Sequence, residues 1–267
     1  MKKLFAYFTA LVLLITQFSC KEEDPEPGKI KLVFMENVDG TPLVVDTVRY
    51  ENEAGNEYLV SEVQYFISEL KLYYQDGKSY EILDNQGIHY VDTDIPETKE
   101  WVITDDVPSG IIDSIVFTFG LDEENNKSGL FTNPPESNMF WPDELGGGYH
   151  YMKLNGKWLD DQMMMNPFNF HLGIGQTYDT TGQVTGFVQN YFNVNVYLAV
   201  YSSFIMVVNP GQTTNLGIIV NIDSWFKTPY TWDFNNMGGM MMQNQDALKA
   251  ACENGYDVFS IGPLLEL

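Results

Sequence analysis

The sequence predicts an all-β fold, an antiparallel β-sandwich with long loops and one short C-terminal helix, on three observations. Short runs rich in Val, Ile, Phe and Tyr recur between Gly, Pro, Asn and Asp turn residues. Several alternate cleanly, as in Phe192-Asn193-Val194-Asn195-Val196-Tyr197. One stretch near the C-terminus carries a helical pattern with a cap and a stop. A chain of 267 residues that is 44% hydrophobic and 14% aromatic can bury a large core around such strands.

Lys2 and Lys3 precede an apolar segment, residues 4–18, that is short for a membrane span, and Ser19-Cys20 closes it. Residues 1–19 are read as a lipoprotein signal peptide with Cys20 the lipidated first residue of the mature chain. Gln17 and Phe18 depart from the usual lipobox, and an ordinary signal peptide with an incidental cysteine stands as the other reading. Residues 20–28 hold acids and two prolines, the composition of an extended tether. A lysine followed by acids directly after the cysteine is similar to the surface-export signal of some Gram-negative lipoproteins. The expected location is the outer membrane, held by the lipid anchor, at the cell surface or otherwise facing the periplasm. Residues 29–267 read as a single domain.

The net charge is −23, and removal of residues 1–19 leaves 12 basic against 37 acidic groups. Phosphate repulsion on that scale excludes nucleic acid as a partner. With Cys20 committed to lipid, Cys252 is a lone thiol, so neither an internal disulfide nor a Cys-based zinc site is available.

In chain order, residues 30–34 begin the first strand, Asp39-Gly40 turns, and residues 43–49 resume an extended pattern. Residues 53–57 punctuate before 58–60. Residues 63–74 satisfy both periods in part, but β-branched and aromatic content and the Asp76-Gly77 hairpin signal favour a strand, with 80–83 as its partner. Residues 88–92 place His89 on a short strand. A turn at 107–110 leads into 111–119, whose Ile115, Phe117 and Phe119 share a face. Residues 120–135 are a polar, breaker-rich loop. After the central stretch, 182–201, 204–208 and 213–222 are expected strands, 225–242 a Met- and Asn-rich loop, and 256–261 a last strand. Residues 244–253 are the helix, with Asn244 as cap and Asn254-Gly255 as stop.

Residues 139–173 concentrate the chemistry. They hold His150 and His171, two of only three histidines, with Trp141, Trp158 and the thioethers of Met152, Met163, Met164 and Met165. Imidazole and thioether suit copper better than magnesium or calcium. Each residue also has a plainer reading. His171 between Phe170 and Leu172 is equally a hydrogen-bonded structural residue, His150 sits in a strand-like run beside Tyr149 and Tyr151, and Trp141 is a large hydrophobic anchor. Met163 and its neighbours, and Met240 in the second group at 237–242, either recruit Cu(I) or fill gaps. Cys252 reads as a small buried hydrophobe, and residues 122–125 as solvated acidic surface without a calcium-loop spacing.

Several segments together are similar to a known family. The run 65–77 (YFISELKLYYQDG), residues 88–92, the 108–122 region ending FTFGLD, then Met139-Phe140-Trp141, Gly148-Tyr149, Leu154-Asn155-Gly156, Phe170-His171-Leu172-Gly173 and the closing 254–259 resemble, in order, the methanobactin-associated copper-binding protein (MbnP-like) family. The resemblance implies a secreted or lipid-anchored β-sandwich. It implies copper held by histidine together with a tryptophan oxidised to kynurenine by a partner di-haem peroxidase-like enzyme. Carried onto this chain, the tryptophan is Trp141 and the motif histidine His171. His89 matches a position where a histidine before Val-Asp is common. Residues 142–148 (PDELGGG) depart from the pattern, which often has a second tryptophan and a shorter approach to the Gly-Tyr pair.

No nucleophile elbow, zinc-protease helix, phosphate loop or haem-attachment pair is present in the sequence. The reading is a non-enzymatic lipoprotein that binds copper or another transition metal for uptake or storage. The metal ligands are expected among His171, His89, His150, Met163 and Met240, with Trp141 as the modified cofactor residue. The alternative is a surface lipoprotein that binds a glycan or protein through exposed Trp225, Tyr230 and Trp232, without metal.

Overall fold

The computed structural model describes residues 25–47, 50–198 and 205–262. Cys20 and the signal segment lie outside the described residues. The main strands are β1 (Gly28–Val38), β2 (Glu57–Tyr74), β3 (Ile88–Asp92), β4 (Glu100–Val107), β5 (Gly110–Phe119), β6 (Met152–Leu159), β7 (Met165–Leu172), β8 (Phe192–Tyr197), β9 (Thr213–Asn221) and β10 (Phe259–Gly262), with one ten-residue helix α1 (Gln245–Asn254).

In the first sheet β1 lies between β9 and β4, with β10 outside β9. Along β1 the burial alternates without a break, as period two requires of a strand with one face on a core. The second sheet runs β7–β6–β2–β5–β8. Its inner face meets the first sheet through aromatic contacts such as Phe34 on Tyr65 and Phe117 on Phe259. This is the expected sandwich, with one parallel pairing: β1 runs alongside β9 from Lys29–Thr213 to Asn37–Asn221. The long stretch of chain between these two strands leaves room for the crossover that parallel pairing needs.

β2 is the spine. Residues 58–65 pair with β6 and residues 67–74 with β5 along one side, while β3 pairs with residues 64–68 on the other. Its period was ambiguous because both faces are covered. Tyr65 points into the sandwich, and Phe66 stacks on Phe131 of the 120–151 segment, which folds over the outer face.

Other expectations are corrected in detail. Residues 43–47 form no strand, since Asp46 adopts φ +59 and turns the chain. β4 was not anticipated, although Trp101 and Ile103 alternate inward beside the exposed Val102. The end of the expected tether is docked: Gly211 donates its N–H to Pro27 O at 2.9 Å, and Ser109 Oγ donates to Glu26 O. Asn244 caps α1 as expected, its side chain accepting from Ala247 N at 3.1 Å.

Candidate metal centre

The outer face of the second sheet positions the site. Phe66 of β2 packs against Phe131 and Tyr149, and the Tyr149 hydroxyl accepts from Phe131 N at 2.7 Å, which fixes the covering segment to the sheet. A short ladder follows: Trp141 N donates to Gly148 O at 2.9 Å, and His150 N donates to Met139 O at 2.6 Å. Between its arms, residues 142–148 turn back through Gly146, Gly147 and Gly148, all with positive φ. A Cβ on Gly148 would stand 2.2 Å from Asn126 Oδ1. The departure from the family pattern is therefore a glycine-dependent turn wrapped over Trp141, whose indole N–H donates to Leu145 O at 3.1 Å.

His171 lies on β7, with Phe170 and Leu172 buried on the opposite side as its pattern indicated. His150 precedes β6. Their ring centroids are 5.0 Å apart and nearly perpendicular, and the Trp141 ring lies 4.7 Å from that of His150.

Hydrogen bonds assign both tautomers. His150 Nδ1 stands 2.9 Å from Met139 O, an acceptor only, so Nδ1 carries the proton. Asn155 donates its amide NH2 to Glu62 at 2.9 Å and therefore turns its oxygen to His171 Nε2, 2.7 Å away, which must carry the proton of that ring. The remaining nitrogens, His150 Nε2 and His171 Nδ1, are buried and have no hydrogen-bond partner. Two neighbouring imidazoles thus each present a bare lone pair, held in that tautomer by a partner on the far nitrogen, the arrangement in which histidine serves as a metal ligand. Leaving two such acceptors buried and unpaired costs stability unless a cation satisfies them.

Burial pushes the His150 pKa down to about 4 and that of His171 to about 3, with the adjacent His150 ring and the Lys153 charge adding to the latter. Both rings are neutral at physiological pH. Lys153 sits directly across from His171, its ammonium donating to Asn138 O at 2.5 Å. No third His, Cys, Asp or Glu joins the pair among the described residues; Glu62, Asp92 and Asp94 form a separate carboxylate group, with Asp92 accepting from Gln64 and Tyr90. Two neutral nitrogens beside an ammonium suit a monovalent soft cation that accepts low coordination better than Zn2+, which takes four ligands.

The other nominated residues fall elsewhere. His89, on β3, is separated from His171 by β2 and β6, and three strand spacings amount to about 14 Å. Its ring stacks between Phe34 and Trp101 and its Nε2 bonds Thr98 O at 2.7 Å, a structural histidine whose pKa burial lowers to about 4. Met163 lies beyond the opposite end of β7, and the six steps from Met165 to His171 span about 20 Å. Met240 bridges to Asn169, two residues before His171, with Asn169 Nδ2 3.1 Å from its sulfur. It joins β7 on the edge opposite β6, 64% exposed, and its sulfur meets the Asn169 amide and not a histidine nitrogen. Trp225 and Trp232 are buried and only Tyr230 is exposed, so the proposed aromatic platform does not exist. The Cys252 thiol is largely buried, and burial raises its pKa to about 11. Asp122 Oδ1 accepts from the backbone and side chain of Asn125, closing a turn.

Sequence reasoning missed Asn155, Glu62 and Lys153. The Leu154-Asn155-Gly156 motif held one of them without disclosing its role.

No curated protein matches the chain. Among solved structures, MbnP from Methylosinus trichosporium is similar in fold, with a TM-score of 0.58 at 13% identity, covering 90% of this chain and 100% of that one. The profile of the MbnP family matches residues 27–243, which take in the second sheet, the first sheet apart from β10, and the paired histidines, and the chain belongs to the MbnP family.

Proposed function

We propose that this protein binds Cu(I) through His150 Nε2 and His171 Nδ1 beside Trp141, as a lipoprotein of the bacterial outer membrane that serves copper uptake or storage. Family membership supports a copper-related role. The observation that carries the ligand assignment is the pair of buried, unpartnered imidazole nitrogens on adjacent rings, each fixed in the tautomer that exposes its lone pair. Glu62 and Asn155 orient His171, the Met139 carbonyl orients His150, and the covering segment keeps water from the pair. Cys20 is the proposed site of lipidation, which holds the domain at the membrane with its face toward the surface or the periplasm.

In this reading Trp141 is the residue a di-haem peroxidase-like partner oxidises to kynurenine. Its ring already lies 4.7 Å from that of His150, and a kynurenine carbonyl or amine there would add a donor to the two nitrogens. Competition titration of Cu(I) against a chromophoric chelator tests the ligand set. One tight equivalent in the wild type, lost in His150→Ala and in His171→Ala and retained in His89→Ala, is the expected result. Retention of tight copper in both single variants of the pair overturns the assignment. Intact-mass analysis of protein from its native host tests the modification separately, with a mass increase localised to Trp141 expected and an unmodified Trp141 contradicting it.

A further inference from the structure

The turn between β6 and β7 and the first residue of β7 carry three successive methionines, Met163, Met164 and Met165, exposed by 74, 60 and 41%. None of them builds the core. Met163 adopts φ +60, the left-handed region where glycine or asparagine is the low-energy choice. The turn is closed without these side chains: Asp160 O accepts from Met163 N at 2.9 Å, and Asp160 Oδ1 accepts from the backbone N–H of Gln162 and of Met164 at 2.9 and 2.8 Å. Neither packing nor backbone geometry therefore accounts for methionine at these positions. An unfavoured backbone conformation kept at an exposed site points to function.

What methionine adds over leucine, glycine or asparagine is a soft sulfur donor on a side chain with three rotatable bonds, so that successive residues of a turn can converge on one ion. The setting is anionic. Asp160 is held below the usual carboxylate range by its amide donors, and the exposed Asp161 follows it. An apolar docking partner would have to desolvate both carboxylates and would have no use for sulfur; a soft monovalent cation uses both.

We propose that the 163–165 turn is a second metal site, an exposed thioether site that captures Cu(I) weakly and exchanges it quickly. It is independent of the histidine pair, from which the length of β7 separates it.

The test is titration of the full chain with Cu(I), and with Ag(I) as a redox-inert probe, using methyl-13C methionine NMR alongside chelator competition. The wild type is expected to take a tight equivalent and a second at least tenfold weaker, with the Met163, Met164 and Met165 methyl resonances shifting only with the second. M163L/M164L/M165L should lose the weak equivalent and keep the tight one, whereas H150A/H171A should do the reverse. A second variant, M163N/M164Q/M165Q, supplies the same comparison with a polar turn. Unchanged weak binding in both turn variants, or methyl resonances that do not move in the wild type, overturns the proposal. Loss of the tight equivalent alone would count against the histidine site and leave the turn site standing.

Discussion

Three buried imidazoles make their own contribution to how this molecule responds to pH. His150, His171 and His89 have folded pKa values of about 4, about 3 and about 4 because burial disfavours the charged ring. A base whose folded pKa is depressed makes no pH-dependent contribution above the unfolded value near 6.5; as pH falls below that value the unfolded chain takes up the proton first, and stability is lost down to the folded pKa. Each ring should therefore destabilise the fold by roughly 3–5 kcal/mol between about pH 6.5 and pH 3–4. NMR titration of the ring Cε1 protons checks this directly: no histidine should titrate near 6.5. Copper binding should then be flat from pH 8 to about 5, since no proton competes for the bare nitrogens in that range. Asn155→Ala should weaken copper by roughly 10–100-fold by releasing the His171 tautomer, the usual scale for a lost outer partner, measurable in the same titration. At this scale the sequence was half legible. Trp141 and His171 stood in recognisable motifs, whereas the Glu62–Asn155–His171 relay crosses three strands and leaves no spacing to read.

Two turns show how elements carry the site. Gly148→Ala would drive a Cβ to 2.2 Å from Asn126 Oδ1 at φ +80, and should cost roughly 2–3 kcal/mol in urea unfolding together with the His150 position. Met163→Gly, by contrast, relieves a left-handed methionine and should raise stability by about 1 kcal/mol, as expected of a residue not retained for the fold. The sequence disclosed elements where one face met solvent. α1 and the alternation in β8 were plain, while β2 read ambiguously because the covering segment buries its second face. The expected loop at 225–242 is present apart from the single helical turn Phe234–Met237, but its tryptophans are not exposed: Trp232 packs on Phe170 at 4.7 Å and Asn254 ties the Trp225 carbonyl down at 2.9 Å.

One continuous apolar cluster joins both sheets, the helix and the covering segment. The described residues should accordingly unfold in a single transition, with tryptophan fluorescence and far-ultraviolet circular dichroism coincident in urea. Cu(I) bound to the folded chain alone should move that midpoint upward with free copper concentration, and the shift should vanish in H150A/H171A at copper levels that leave the exposed methionines empty. The parallel pairing of β1 with β9 was beyond the sequence, because it depends on how strands distant in the chain meet and not on either strand's pattern. The most direct test of the central claim is copper K-edge X-ray absorption on the chain loaded with one equivalent of Cu(I). Two imidazole nitrogens at about 2.0 Å and no sulfur in the first shell is the predicted result. A first shell dominated by sulfur at about 2.3 Å, the distance of metal–sulfur bonds, would contradict it.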